Sequence, residues 1–133
     1  MRYNGHNILA IIVAAIAIYA IEFVIFAILI PGPTYARMVG ISMDQAGNMA
    51  RMPYGAIMPV LQAIGLSCAI KWRGSMGPIP GAITGIILAV FFGTAVSMYQ
   101  YVYAAAEPIW IVVSLGHFVL CYAVAGIILG AWK

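Results

Sequence analysis

The amino-acid sequence predicts an all-α integral membrane protein, a bundle of four transmembrane helices with a short interfacial helix on the outer side. Of its 133 residues, 65% are hydrophobic and only 7% are charged, whereas soluble domains carry about 25% charged residues. So few polar side chains cannot cover a surface that faces water. Four apolar segments are each long enough to cross the hydrocarbon core of a bilayer, which takes about 20 helical residues. We therefore expect a single transmembrane domain over residues 1–133.

The four predicted spans cover approximately residues 8–30, 54–70, 79–101 and 109–131. The first is too long for the apolar part of a cleaved signal peptide, about 7–15 residues, so we expect it to remain in the mature protein. It ends at Pro31, because proline supplies no amide donor and restricts the residue before it. The connections between the last three spans are short, which predicts that these helices are antiparallel neighbours.

The only long connection, residues 31–53, predicts the interfacial helix. Ser42 and Gln45 have the spacing of a capping box, in which each side chain satisfies the backbone amide of the other residue. We expect a helix from Met43 to about Met52. Its mixture of mild hydrophobes and polar residues suits the outer membrane surface or the top of the bundle.

Basic residues in the short connections predict the orientation of the chain. One side of the membrane carries four basic residues and no acid, whereas the other carries two basic residues and two acids. The first set is Arg2, Lys71, Arg73 and Lys133, and the second is Arg37, Arg51, Asp44 and Glu107. We expect both termini in the cytoplasm. Because the net charge of +3 comes without a basic run, we expect the lipid bilayer, and no nucleic acid, as a partner.

Small residues recur at every fourth position of the third span, and they predict close helix packing. The row consists of Gly77, Gly81, Gly85, Ala89, Gly93 and Ser97. In a bilayer, helices associate where small residues let their backbones approach. Since a period-four row drifts by about 40° per step around an α-helix, its early and late members should meet different neighbours, or one neighbour that crosses steeply. Gly126 and Gly130 of the fourth span offer a second close-packing face.

Each span contributes at least one polar residue at a common depth in the outer half of the bilayer. Glu22 is the only acid inside a span, and an ionisable group there costs about 2.5–3.5 kcal/mol on insertion scales. The depth of a residue in the membrane follows from its position along its span and from the rise per residue of an α-helix. By this estimate, four further side chains lie in the same layer: Gln62, Thr94, Ser97 and His117.

This predicted polar layer has three interpretations. It can be a proton-active or substrate-binding layer in which Glu22 and His117 exchange charge, because histidine changes its charge near neutral pH. It can instead be polar glue that holds the helices in register, a role in which membrane polar contacts average about 0.6 kcal/mol. In the third interpretation, Glu22 or Arg37 pairs with a neighbouring subunit.

No residue pattern predicts an enzyme, a metal site or a cofactor. His117 and Cys121 lie four residues apart, a spacing that can present two metal ligands, and a histidine within a membrane can also bind haem or chlorophyll. No second His or Cys cluster completes such a site, so we expect neither. Cys68 and Cys121 are expected to be free thiols, since buried cysteine usually acts as a small hydrophobe.

Three stretches of the chain resemble domain-of-unknown-function family 1761. They are HNILAIIVAA at residues 6–15, YARMVGIS at residues 35–42, and GHF at residues 116–118 followed by AGIILGAW at residues 125–132. The resemblance implies a small bacterial four-helix protein, hence the bacterial cytoplasmic (inner) membrane. It implies no reaction or ligand, so it assigns no functional residue.

Two positions of the first span depart from the pattern of that family. Ile25 and Phe26 stand where the family usually has a Trp-Tyr pair, and Glu22 replaces a small residue. Any role of Glu22 is therefore expected to be particular to this protein or to a subgroup.

Two functional hypotheses follow from the sequence. In the first, the protein is non-catalytic and acts by assembly, as a homo-oligomer or as an accessory subunit that binds other membrane proteins. In the second, it is a small proton-linked transporter or channel that uses the Glu22–His117 polar layer.

Overall fold

The structure, a computed structural model, describes residues 2–3 and 5–132 and confirms the predicted all-α membrane bundle. In this described part of the chain, a hairpin of two short strands precedes six helices. The elements are β1 (Arg2–Tyr3), β2 (His6–Asn7), α1 (Ile8–Leu29), α2 (Gly32–Val39), α3 (Met43–Ala46), α4 (Met52–Arg73), α5 (Pro78–Tyr103) and α6 (Pro108–Ala131). Of these helices, α1, α4, α5 and α6 are long and apolar enough to cross a membrane. Lys133, one of the basic residues behind the predicted orientation, lies outside the described residues.

The first spanning helix begins at a side-chain cap and ends in a widened turn. The side chain of Asn7 accepts hydrogen bonds from the amides of Leu9 and Ala10, which satisfies two of the donors that a helix N-terminus leaves free. From Val24 to Leu29 the helix is π-helical. Such turns hold about one residue more than an α-turn, and they occur frequently at functional sites.

The helix α2 was not predicted. We expected residues 31–33 only to end the first span, but Pro33 lies in the first turn of a new helix, where its missing N–H costs no hydrogen bond. The helix ends at Val39, and its C-cap is Gly40, whose φ of 75° favours glycine. A Cβ atom on Gly40 would lie 2.2 Å from the carbonyl oxygen of Ala105, so α2 packs tightly on the connection between α5 and α6.

The interfacial helix is shorter than predicted. The capping box of Ser42 and Gln45 is present, but α3 ends at Ala46 and not near Met52. Gly47 follows it, and the side chain of Asn48 accepts the amide of Ala50 and so starts a separate 3₁₀ turn over Met49–Arg51. Asparagine favours such local turns over helix because its side chain competes for backbone donors.

Glycine residues bring α5 and α6 into backbone contact. A Cβ atom on Gly81 would lie 2.1 Å from the carbonyl oxygen of Gly126, and one on Gly85 would lie 2.0 Å from that of Tyr122. The amide of Gly77 donates to the carbonyl oxygen of Gly130 over 2.7 Å. Gly126 and Gly130 therefore face the same interface as the row on α5, and the prediction that they form a second packing face is wrong.

The glycines and the serine of the small-residue row all face one neighbour, α6. Beyond Gly85, Gly93 contacts Phe118 of α6 and Ser97 contacts Ser114 of α6. Of the two arrangements expected for the row, separate neighbours for its early and late members or one neighbour that crosses steeply, the structure therefore shows a single neighbour. The reason is a π-helical segment over Ala89–Gly93, because its wider turn reverses the drift that a period-four row accumulates in an α-helix.

The main hydrophobic core lies between α1, α4 and α6. It is built largely from small and aliphatic side chains: Ala10, Ala14, Ala15, Ile18, Ala63, Leu66, Ile70, Cys121, Ala125 and Leu129. Both cysteines are free thiols; Cys121 is fully buried in this core and Cys68 is half-buried. The core holds α1 and α6 side by side, which positions the residues of the candidate site.

Candidate functional site

Glu22 of α1 and His117 of α6 face each other inside the bundle, in a contact that is an ion pair when His117 is protonated and that is not a hydrogen bond in this geometry. The distance between Glu22 Oε1 and His117 Nε2 is 3.4 Å, and the two side chains are only 15% and 8% exposed. Glu22 lies two residues before the π-helical end of α1. The structure thus brings together the two ionisable residues of the predicted polar layer.

Aromatic rings cover the pair on the side away from the chain termini. Phe26, one turn beyond Glu22, packs its ring against the imidazole of His117 with 4.9 Å between centroids. It also contacts Tyr35 of α2 and Trp110 of α6, at 5.7 and 5.9 Å. We call Phe26, Tyr35 and Trp110 the aromatic cover.

Tyr35 and Trp110 join the cover through their apolar surfaces. Burial raises the pKa of Tyr35 above its ordinary value, so its hydroxyl stays neutral through the physiological range. The indole N–H of Trp110 donates to the side-chain oxygen of Gln100 on α5, and this bond gives a buried polar atom its partner. The cover therefore separates the ion pair from the outer surface without placing a second charge beside it.

The other residues of the predicted polar layer do not join this pair. The hydroxyl of Ser97 donates to the carbonyl oxygen of Gly93 at 2.8 Å and lies 2.7 Å from the hydroxyl of Ser114. Thr94 is half-buried and makes no side-chain hydrogen bond within the described residues. Gln62 has a buried side-chain oxygen for which the described part of the chain supplies no hydrogen-bond partner. The layer is thus divided into a charged contact between α1 and α6 and a neutral one between α5 and α6.

Ser114 is a site residue that the sequence reasoning missed. It is 3% exposed and lies three residues before His117, which places it on an adjacent face of α6. The sequence did contain a signal that could have identified Ser114, because it is a hydroxyl residue inside a span and lies within one helical turn of the histidine.

The arrangement suits proton exchange. A carboxylate and an imidazole in contact can hold one shared proton with no net charge on the pair. Removing that proton or adding another leaves a net charge inside the bilayer, which is costly. Among the described residues, no group of three or more His, Cys, Asp or Glu side chains is placed to hold a metal ion.

A second ion pair lies at the surface. Arg37 Nε of α2 is 3.6 Å from Glu107 Oε1 at the start of α6, and both side chains are exposed. Exposed pairs contribute about 0–1 kcal/mol, so this one helps to place α2 without fixing it. The backbone adds a further link, because the amide of Glu107 donates to the carbonyl oxygen of Met38 at 2.8 Å.

Comparison with known proteins gives one match. The family model described as "Protein of unknown function (DUF1761)" matches residues 9–130, a range that includes both Glu22 and His117. No curated protein and no solved structure matches the chain significantly.

Proposed function

Because the chain belongs to the DUF1761 family of proteins of unknown function, its activity has to be inferred from its own residues, and we propose that it is a small proton-linked membrane transporter or channel. In this proposal Glu22 and His117 take up and release a proton inside the bundle. The observation that supports it is their contact at 3.4 Å, between the buried side chain of His117 and the largely buried side chain of Glu22 on a different spanning helix.

A role as polar glue alone accounts less well for this pair. The chain already has a neutral polar contact between helices, Ser97 with Ser114, and close glycine packing between α5 and α6. Neutral contacts hold register without the cost of burying charge, about 2.5–3.5 kcal/mol for one ionisable group. The π-helical turn next to Glu22 also favours a functional role, because such turns occur frequently at functional sites.

Assembly with other subunits or with itself is the second candidate. The glycine rows on α5 and α6 pack against each other within the chain, so they no longer support it. What favours assembly is a different pair of glycines, Gly65 of α4 and Gly116 of α6. Both are exposed on spanning helices with open space where a Cβ would stand, and such positions allow a helix of another chain to approach closely. Both candidates are non-catalytic.

Glu22→Gln is expected to abolish proton flux into liposomes. Glutamine keeps the size of glutamate and its capacity to hydrogen-bond, but it cannot bind or release a proton. The purified protein is reconstituted into liposomes that contain a pH-sensitive dye, and the internal pH is followed after the external buffer is acidified, with potassium and valinomycin holding the membrane potential near zero. We expect faster acidification with the wild-type protein than in protein-free liposomes, and no difference from protein-free liposomes with the variant.

Glu107→Gln serves as the matched control. It makes the same chemical change at an exposed acid outside the bundle, and flux should be unaffected. Equal flux in wild type and Glu22→Gln, or no flux from any of the proteins, would contradict the proton-linked proposal. The mass of the protein purified gently from native membranes would then test assembly, which a defined multimer or a stoichiometric partner supports and a lone monomer opposes.

The proposal includes an orientation in the bacterial cytoplasmic membrane, with both termini inside. Residues near the two termini lie together, since Gly5 and Trp132 line one cavity. Lys71 and Arg73 occupy the last turn of α4 and so lie at this end, whereas Arg37 and Arg51 belong to the connection at the other end. The excess of basic residues at the terminal end supports a cytoplasmic location for it.

A cysteine that replaces Asp44 is expected to react with a membrane-impermeant maleimide added to intact cells. A cysteine that replaces Trp72 should react only after the cells are lysed, because it lies at the opposite end of the bundle. Both variants are made in a chain in which Cys68 and Cys121 are replaced by alanine, so that the introduced cysteine is the only thiol that can react with the maleimide. The reverse pattern of labelling would show that the orientation is inverted.

A further inference from the structure

The contact between Glu22 and His117 lies between two separate clusters of buried apolar side chains. On the side of the chain termini is the main hydrophobic core between α1, α4 and α6. On the other side is a smaller cluster, which contains the aromatic cover together with Met38 and Ala106. We call it the outer cluster. A proton that reaches the pair from water has to pass one of these two clusters.

The two clusters differ in what must move to open them. The main core joins three spanning helices, so water enters it only if those helices separate. The outer cluster is closed by α2, an eight-residue helix that supplies Tyr35 and Met38 and is too short to cross a membrane. Small elements with few buried apolar contacts open at a lower free energy than the core of a domain. The outer cluster is therefore the easier route to the pair.

Both ends of α2 have backbone that suits a hinge. Ile30 and Pro31, which separate it from α1, have non-helical dihedral angles. Gly40, which follows it, is in the left-handed region, where glycine is free of the strain that a side chain brings. The hinges of moving segments are usually a few positions of this kind at the ends of elements. These hinges allow α2 to swing as a unit while α1 and α6 stay helical.

The contacts that hold α2 in place are local. Its ion pair, Arg37 with Glu107, is exposed and contributes little to stability. The amide of Glu107 donates to the carbonyl oxygen of Met38, and Gly40 packs against Ala105. These contacts favour the closed position. All of them join α2 to the connection between α5 and α6, so they can break while the spanning helices stay packed.

We propose that α2 is a lid that opens the Glu22–His117 pair to the surface away from the chain termini. When α2 lifts, Tyr35 leaves the aromatic cover, and Phe26 loses the ring that packs against it and is free to turn away from His117. In the closed position that the structure describes, the lid keeps water from the pair. The inference rests on the proposed proton-linked function, because a pair that exchanges protons needs such access.

A cross-link between α2 and the start of α6 is expected to stop proton flux. Arg37 and Glu107 are both replaced by cysteine in the chain whose Cys68 and Cys121 are alanine, and a short bis-methanethiosulfonate reagent joins the two introduced thiols. The native side chains meet at 3.6 Å outside the bundle, so the link fits the closed position. Acidification of the liposomes should fall to the rate of protein-free liposomes, and a reducing agent that cleaves the link should restore it.

Arg37→Cys alone, treated with the same reagent, is the control, because it carries the modification without the link. Its flux should equal that of the untreated protein, since the exposed ion pair contributes little. If the complete cross-link leaves the flux unchanged, the proposal is overturned. Absence of flux before treatment would instead contradict the proposed function, and the movement of α2 is then decided by a second measurement.

The second measurement needs no flux and follows maleimide labelling of the protein in detergent. Ala36 of α2 and Ala106 of the outer cluster are buried, so a cysteine at either position reacts only while the lid is open. Because minor conformations are populated about 0.1–10% of the time, we expect rates about 10–1,000 times below that of an exposed cysteine at Asp44. A cysteine in place of Ser75, buried in the connection between α4 and α5, should react more slowly still. A rate at either lid position as low as that at Ser75 overturns the proposal.

Discussion

Replacing Gly85 by alanine is expected to destabilise the protein by about 3 kcal/mol or more. A single added methyl group would lie 2.0 Å from the carbonyl oxygen of Tyr122. That oxygen belongs to the backbone of α6 and cannot rotate away, so α5 and α6 would have to separate. Overpacking of a close interface typically costs about 1–3 kcal/mol and sometimes more. Because the added methyl group would meet backbone atoms, we expect a cost at the upper end of this range or above it. Thermal unfolding in detergent, followed by loss of helical signal, measures the effect.

The control for this prediction is the same substitution where there is space. Gly116 of α6 and Gly65 of α4 have no atom within 4 Å of a built Cβ. There alanine should be neutral or stabilise by up to about 1 kcal/mol, because it is the better helix former. If Gly85→Ala and Gly116→Ala change the unfolding midpoint alike, the backbone contact of α5 and α6 is not as we describe it.

His117→Leu is expected to cost about 3–5 kcal/mol, because it leaves the buried carboxylate of Glu22 without its partner. The double variant Glu22→Leu, His117→Leu should be more stable than this single variant, since it buries no charge at all. Replacement of a whole buried pair by hydrophobic residues is often neutral or stabilising. Unfolding free energies of the wild type, the two single variants and the double variant complete the cycle that isolates the interaction.

The result of that cycle distinguishes a contact from mere proximity. Additive losses would mean that Glu22 and His117 do not interact, and that the 3.4 Å contact does not persist in the membrane. A matched cycle on Ser97 and Ser114, each replaced by alanine, gives the scale for a neutral contact. We expect the charged pair to show the larger coupling, because neutral membrane contacts average only about 0.6 kcal/mol.

The spanning helices could be predicted from the sequence because the bilayer imposes length and apolarity together. The remaining local structure followed from details that hydropathy does not encode. Pro33 is compatible with either the end of one helix or the first turn of the next, so α2 was missed. The π-helical segment over Ala89–Gly93 has no composition that sets it apart from an α-helix.

The sequence predicted how deep in the membrane the site residues lie, but not toward which helix each side chain points. Rise per residue places Glu22, Ser97 and His117 at similar depths, but it does not say toward which helix each side chain points. Ser114 and His117 show the difference, because three residues of an α-helix separate side chains by about 60° around the axis. One of them meets α5 and the other meets α1. The assignment of neighbours needed the packing of the whole bundle.

The wide turn in α5 also has a consequence for changes in chain length. Its hydrogen bonds skip one residue more than those of the flanking α-helical parts, so this turn contains an extra residue without interrupting the helix. The angular position of residues 94–103 is thereby set independently of the glycines before the turn. Loss or gain of one residue would rotate one half of α5 relative to the other by about 100° and leave both halves helical. The interface between α5 and α6 therefore has two parts, one formed by backbone contacts before the wide turn and one formed by side-chain contacts after it. The packing of either part can change without a change in the other.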